Sequence, residues 1–477
     1  MEQRKRKREE ALEPAQQTNK EARLSTHSEE ETDFLSLLPN EILLFILQRE
    51  DSETDLNRIS IFVHRFVCKR WRDLLPPPSE GCPRSFDFGS AVVKSNLFPL
   101  LQWARSNGCH WNKKICGAAA ERGYLEVLKW ARNNGCPWGA DTWIHAVVGG
   151  NMKVMEWLLE KKCPWNSKAC SAAARTGQLK VLKWLRENDC PLDGGCTYSA
   201  AKAGQLEILK WTKEHGCPSN TWTVAYAALG GHIPILHWLR NNGCSWNSIT
   251  CAYAARGGHL NVLKLLRSHD TPWGPDTCTG AVLAGHLEVL KWAREQECPW
   301  DCSTGMEAAR VGNIPALTWM KENGYPNYQT TCAAAARAGQ LATLKWLREN
   351  GCPWRQGNMC TEAAQCDDPA VMKWLRDNGC PWTEKTCAKA AKFGNLEVLK
   401  WARENGCEWN EQTCYAAAKH GHLEVLKWAW EHGCPWKVDV FRMAAEEEGE
   451  LAVLQWLGEK GCRVENTHQT QKPDDRY

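Results

Sequence analysis

Cysteine and histidine recur along the chain at intervals that invite a metal reading, as in Cys407, Cys414 and His422, which give Cys-x6-Cys-x7-His. Structural zinc sites pair their ligands two to four residues apart. These three stand further apart, so each cysteine is read as a small buried apolar residue. The chain holds 25 cysteines among 477 residues. That number suggests a disulfide scaffold, but the chain is long and no secretion signal precedes it, so reduced thiols are expected and array-wide disulfides are not. A second pattern is a cation directly after an Ala-Ala pair or its equivalent, at Arg175, Lys202, Arg256, Arg310, Arg337, Lys392 and Lys419. Such a ladder suits an acidic partner segment. It also suits a helix C-terminus, where a cation complements the dipole, and that simpler reading is preferred. No phosphate-cradling glycine loop, nucleophile elbow, His-Glu-x-x-His run or RING-like cysteine cluster occurs. The expectation is a protein that is not an enzyme and holds no cofactor or metal.

The period behind these patterns is carried by tryptophan. An apolar run of the form Leu-Glu-Val-Leu-Lys-Trp closes at Trp103, Trp130, Trp157, Trp184, Trp211, Trp238, Trp292, Trp319, Trp346, Trp374, Trp401, Trp428 and Trp456. The step is 27 residues, with Leu265 standing in once, and lengthens to 28 at Trp374 and Trp456. A fixed step of this size means a repeat array, which offers a long surface and no single enclosed pocket. Each copy reads as two short helices separated by a turn. In the second, Leu396, Val398, Leu399, Trp401 and Ala402 are apolar at spacings of three and four, with Glu397, Lys400, Arg403 and Glu404 opposite. Pro234, Pro315 and Pro369 mark its first turn, and Gly406, like Gly135, Gly243, Gly351 and Gly433, its left-handed cap. The first helix carries small residues, as at Ala173-Ala174 and Ala417-Ala418, that let neighbours approach closely. Helices this short are marginal alone, so stability must come from stacking. The recurrent tryptophan, which can bury about 150 to 250 Å², is read as glue between copies.

Two copies depart from their siblings. Trp222 falls in the turn before a first helix, where other copies carry Lys114, Lys168, Lys385 or Gln412, and Trp430 takes a place held elsewhere by Arg132, Arg348 or Arg403. Exposed aromatics anchor interfaces; local repacking would account for them equally. Trp222 and Trp430, with Arg256, Arg310 and Arg337, are the candidate target-binding residues.

Lys and Arg number 59 against 56 Asp and Glu, a net charge of +3, so no global field points to nucleic acid. No apolar stretch reaches the roughly 18 residues of a membrane span. The start, Met-Glu-Gln-Arg-Lys-Arg-Lys-Arg, lacks the apolar core of a signal peptide. An intracellular protein is expected, cytoplasmic and also nuclear if the basic run Arg4 to Arg8 is an address rather than a solvated tail. Residues 1–33 are charged and nearly free of aromatics, a composition expected to be disordered, and 465–477 read as a polar tail. Pro76, Pro77 and Pro78 stiffen the join to a linker over 77–95.

The array resembles the ankyrin repeat over residues 96–464, on Thr413-Cys414, Ala417-Ala418, Gly421-His422, Leu423 to Trp428 and Gly433-Cys434. Its unit falls about six residues short of the usual 33, so long projecting hairpins are not expected. Residues 34–76 break the period, with Leu38-Pro39-Asn40-Glu41-Ile42-Leu43 near the start and Val67-Cys68-Lys69-Arg70-Trp71 near the end. This segment resembles an F-box. The resemblance implies a small helical module docking on the adaptor subunit of a cullin-RING ubiquitin ligase, with Leu38, Pro39, Ile42, Leu43 and Ile46 presenting the apolar edge and Val67 and Trp71 holding the module together. A plain helical cap for the first repeat is the alternative. The expected fold is all-α: an F-box helical module, then an ankyrin-like α-solenoid of about 13 short, 27-residue repeats. The combination is similar to F-box proteins with ankyrin-like repeats that are abundant in giant viruses of amoebae, which implies host-cell targets. The implied function is a substrate-recognition adaptor of an SCF-type ligase, holding an unknown target protein. A scaffold that tethers proteins without ubiquitin transfer is the alternative.

Overall fold

The computed structural model describes residues 88–106, 111–325, 328–352, 359–435 and 450–459. The F-box-like segment lies outside them, as do both tails, and with that segment Leu38, Pro39, Ile42, Leu43 and Ile46. The described residues are all helix and turn, with no strand among them. Short helices alternate in pairs at the period read from the sequence: Glu384–Lys392 and Leu396–Glu404 are followed by Glu411–Lys419 and Leu423–Glu431.

Local chemistry sets both ends of each helix. At the start of Thr221–Leu229 the Asn220 side chain accepts from the Thr223 backbone N–H, and the Thr223 hydroxyl accepts from the Asn220 N–H at 3.2 Å. Asn247 and Thr250 make the same reciprocal cap. The recurrent buried threonine is thus part of the helix start. Proline occupies the first turn of the second helices Ile233–Asn241, Ile314–Glu322 and Pro369–Asp377, where the missing N–H has no intrahelical partner to lose. Gly406 closes its copy at φ +84°, a left-handed conformation that costs other residues about 1–2 kcal/mol.

The core is aliphatic. In Leu396–Glu404 the buried side chains are Val398, Leu399 and Ala402, while Trp401 is only half-buried. Full burial of a leucine such as Leu399 stabilises by about 1.5–3 kcal/mol. The tryptophan that marks the period therefore sits at the rim of the stripe, and Val, Leu and Ala fill its centre. First helices stack on one another, as Ser248–Arg256 does on Pro275–Leu283. A Cβ on Gly280 would stand 2.5 Å from the Ala252 carbonyl oxygen, so that crossing requires glycine.

Side-chain donors join copy to copy. In several copies the residue just before the second helix reaches back to a carbonyl ending the previous first helix: Asn395 Nδ2 to Ala364 O at 2.9 Å, His259 Nε2 to Leu229 O at 3.0 Å, Asn313 Nδ2 to Val282 O at 3.0 Å. Carbonyls at a helix end lack the regular intrahelical donor, and His and Asn both serve as donors to them.

The chain divides into two compact units, residues 1–200 with 207–217, and 201–206 with 218–477. In the first, the segment expected to be linker contains helix Phe88–Lys94, with Ala91, Val92 and Val93 buried. Helical packing therefore begins before residue 96, because this stretch supplies a small-residue first helix for Phe98–Ser106. The second unit carries the helices from Thr221–Leu229 through Leu423–Glu431, and Leu451–Glu459.

Candidate interaction surface

The candidates separate by what surrounds them. Trp222 lies in the first turn of its helix rather than before it, and 45% of its surface is exposed. Its ring meets Tyr253 edge-on at 6.0 Å, and Tyr226 meets the same Tyr253 at 5.7 Å. Tyr226 and Tyr253 hold equivalent places in successive copies, so stacking of the two first helices assembles the patch. Arg256 is exposed at the end of the Tyr253 helix, one turn on, and forms no ion pair among the described residues. Arg310 and Arg337 are each tied to a carboxylate, Glu307 at 2.6 Å and Glu362 at 2.9 Å. All three arginines end a first helix, where the dipole favours them. Trp430 is half-buried, its ring 5.9 Å from that of Trp456. Its geometry is that of local packing.

The periodic tryptophans form a second feature, an aromatic rim. Arg403 stacks on Trp409 with its guanidinium carbon 4.2 Å from the ring centre, and donates to the Cys407 carbonyl. Trp409 in turn meets Trp428 edge-on at 5.8 Å. Arg376, Trp382 and Trp401 repeat the arrangement one copy earlier, and Arg294, Trp300 and Trp319 earlier still. In these copies the turn tryptophan is thus clasped between the cation ending one second helix and the tryptophan of the next.

Cys407, Cys414 and His422 do not converge. Cys407 is in thiol contact with Cys387, Cys414 with Cys434, and His422 donates to the Lys392 carbonyl at 3.0 Å. No group of three or more His, Cys, Asp or Glu placed to hold a metal occurs among the described residues. Cys298 and Cys302 stand four apart, but Cys298 is buried against Cys278 while Cys302 is exposed.

Instead the cysteines pair at a separation of 20 residues, one in the first helix and one in the turn after the second. In the first unit the pairs are Cys116 with Cys136 and Cys170 with Cys190; the latter also has Cys196 beside it. In the second they are Cys278 with Cys298, Cys360 with Cys380, Cys387 with Cys407 and Cys414 with Cys434. A seventh pair, Cys332 and Cys352, is joined in a disulfide, with Cα atoms 7.0 Å apart. Composition speaks of compartment, whereas the stacked helices bring two specific sulfurs together. Two copies that lack the pair fill the same places with other contacts: the Trp143 indole N–H donates to the Cys163 carbonyl at 3.0 Å, and the Tyr325 hydroxyl accepts from the Gly305 N–H at 3.1 Å. Within a pair the two thiols are unlike. The hydrogen bond from Cys387, assisted by the charge of Arg403, holds Cys407 below the usual thiol value against the opposing effect of burial, while the same bond and burial push Cys387 up.

No helix among the described residues is long and apolar enough to cross a membrane. An ankyrin-repeat family model, described as "Ankyrin repeats (many copies)", matches residues 387–429. No curated protein matches the chain. Among solved structures the chain is similar to the pentatricopeptide repeat protein PPR10 from maize, at 12% identity over 85% of this chain and 76% of that one, with a TM-score of 0.29. A likeness that slight carries no argument about ligand or shape. The helices, together with the matched stretch, make the described residues an all-helical, solenoid-like repeat array of the kind that serves as a protein-interaction scaffold.

Proposed function

We propose that the protein is a substrate-recognition adaptor in which the F-box-like segment docks a cullin-RING ligase and the repeat array captures a target protein. The observation that carries the capture role is the exposed Trp222, held edge-on by Tyr253 near Arg256, which forms no ion pair among the described residues. Rigid aromatics next to a cation are the residues that most often dominate interface energy. The patch suits a target segment that presents an apolar side chain followed by a carboxylate. Docking on the ligase adaptor is supported by Leu38, Pro39, Ile42, Leu43 and Ile46 in their F-box-like spacing. Arg310 and Arg337 contribute less, since a target must displace Glu307 and Glu362 from them.

Co-purification with the ligase adaptor tests the reading. The wild-type chain retains the adaptor and a Leu38→Asp/Pro39→Ala variant loses it. A Trp222→Ala/Arg256→Ala variant keeps the adaptor but holds at least tenfold less of any target identified with the wild type. If the wild-type chain never retains the adaptor, the ligase role is wrong, and what stands is a scaffold that tethers proteins without ubiquitin transfer.

A further inference from the structure

We infer that the facing cysteines 20 residues apart are oxidative modification sites, each closing to a disulfide on reaction with hydrogen peroxide, so that each oxidised copy becomes stapled from its first helix to the turn after its second. Three independent observations meet here. The pairing recurs in register in seven copies across both units, and every one of those cysteines lies at 5% exposure or less. In one pair, Cys332 and Cys352, the two sulfurs stand within bonding distance. In the copy where both cysteines are replaced, Tyr325 reaches back to Gly305, so the same two places are in contact there too.

The electron balance closes with peroxide alone. The turn cysteine, Cys407 for example, is the one favoured as thiolate, since Cys387 donates to it and Arg403 stands near. Its sulfur attacks one peroxide oxygen, the O–O bond breaks, and hydroxide leaves as a sulfenic acid forms. The Cys387 sulfur then attacks the sulfenic sulfur, the S–O bond breaks, and water leaves with the Cys387 proton. Two thiols and one peroxide give one disulfide and two waters. Burial selects a small oxidant, which enters on local opening of a copy. Bulky disulfide reagents are disfavoured for the same reason.

The chain carries its own controls. Cys163 and Cys251 are as buried as the paired thiols, but Trp143 and Thr271 stand at the places 20 residues away where a partner sulfur would be.

The test uses the full-length chain, fully reduced, exposed to hydrogen peroxide, then denatured in an alkylating reagent, digested and mapped by mass spectrometry. Peptides bridged between Cys387 and Cys407 and between Cys414 and Cys434 are expected at least tenfold over any other cysteine combination, with Cys163 and Cys251 unbridged. Amide hydrogen exchange over residues 384–407 slows at least tenfold on oxidation and recovers on reduction. In a Cys407→Ser variant, Cys387 stays unbridged while Cys414 and Cys434 still join. The proposal is overturned by bridges scattered among non-facing cysteines, by paired thiols that remain alkylatable or pass to sulfinic acid, or by Cys387 finding another partner in the variant.

Discussion

A single donor decides how one copy holds the next. Asn395 is buried and its amide donates to Ala364 O, a carbonyl that the end of a helix leaves without an intrahelical partner. Asn395→Ala strands that oxygen in the interior and should cost about 1–3 kcal/mol. Urea denaturation checks it, and a change within error would show that water replaces the amide. Solitary buried thiols act in the opposite sense on pH dependence. Burial pushes Cys163 and Cys251 up to about 12 from an ordinary 9.0. A folded-state value raised in this way means the folded chain holds the proton that the unfolded chain gives up. The stabilisation is complete below pH 9 and drains away as pH climbs toward 12. Cys251→Val removes one titrating group, so its melting temperature should fall less steeply between about pH 9 and 11 than that of the wild type. Parallel slopes would contradict the assignment. Neither residue announces this in the sequence, since Cys251 and Cys387 carry the same Thr-Cys motif and only the residue 20 places on differs.

At the scale of the helix pair, the aliphatic centre carries the stability and the aromatic rim carries the register. Leu399 is fully buried, and Leu399→Ala should cost about 2–5 kcal/mol as transfer and cavity terms add. Because each copy contacts only its neighbours, amide exchange should quicken over residues 384–431 while residues 113–133 keep wild-type protection. Uniform loss of protection would mean the array unfolds as one block. The apolar stripe, the proline starts and the glycine ends were legible beforehand because each depends on residues within one turn of each other. The depth of the tryptophan was not: period places Trp401 on the stripe, yet a ring too large for the narrow space between stacked helices is displaced to the edge, where Trp382 meets it at 5.8 Å. The cysteine pairing had a signal, the constant separation of 20 residues, that a search for metal spacing passes over.

At the scale of the whole molecule, the array is modular in its period. Deleting residues 384–410 removes one full step and brings Glu411, the start of an equivalent helix, directly after Thr383. Such a chain should fold with unchanged helical content per residue and lower stability. Deleting 13 residues of the same stretch should expose an unpaired apolar stripe and aggregate. Circular dichroism and light scattering distinguish the two, and equal behaviour of both deletions would refute a stack of like units.

By itself the sequence determined the array: the 27-residue step, the two helices in each copy and the residues that begin and end them. These follow from short-range rules of helix geometry, which act on neighbours along the chain. The tertiary structure decided which side chains meet across copies. It set Tyr253 against Trp222 and Asn395 against a carbonyl 31 residues earlier, and within one copy Cys387 against Cys407, because the way stacked helices cross is fixed by packing all copies at once.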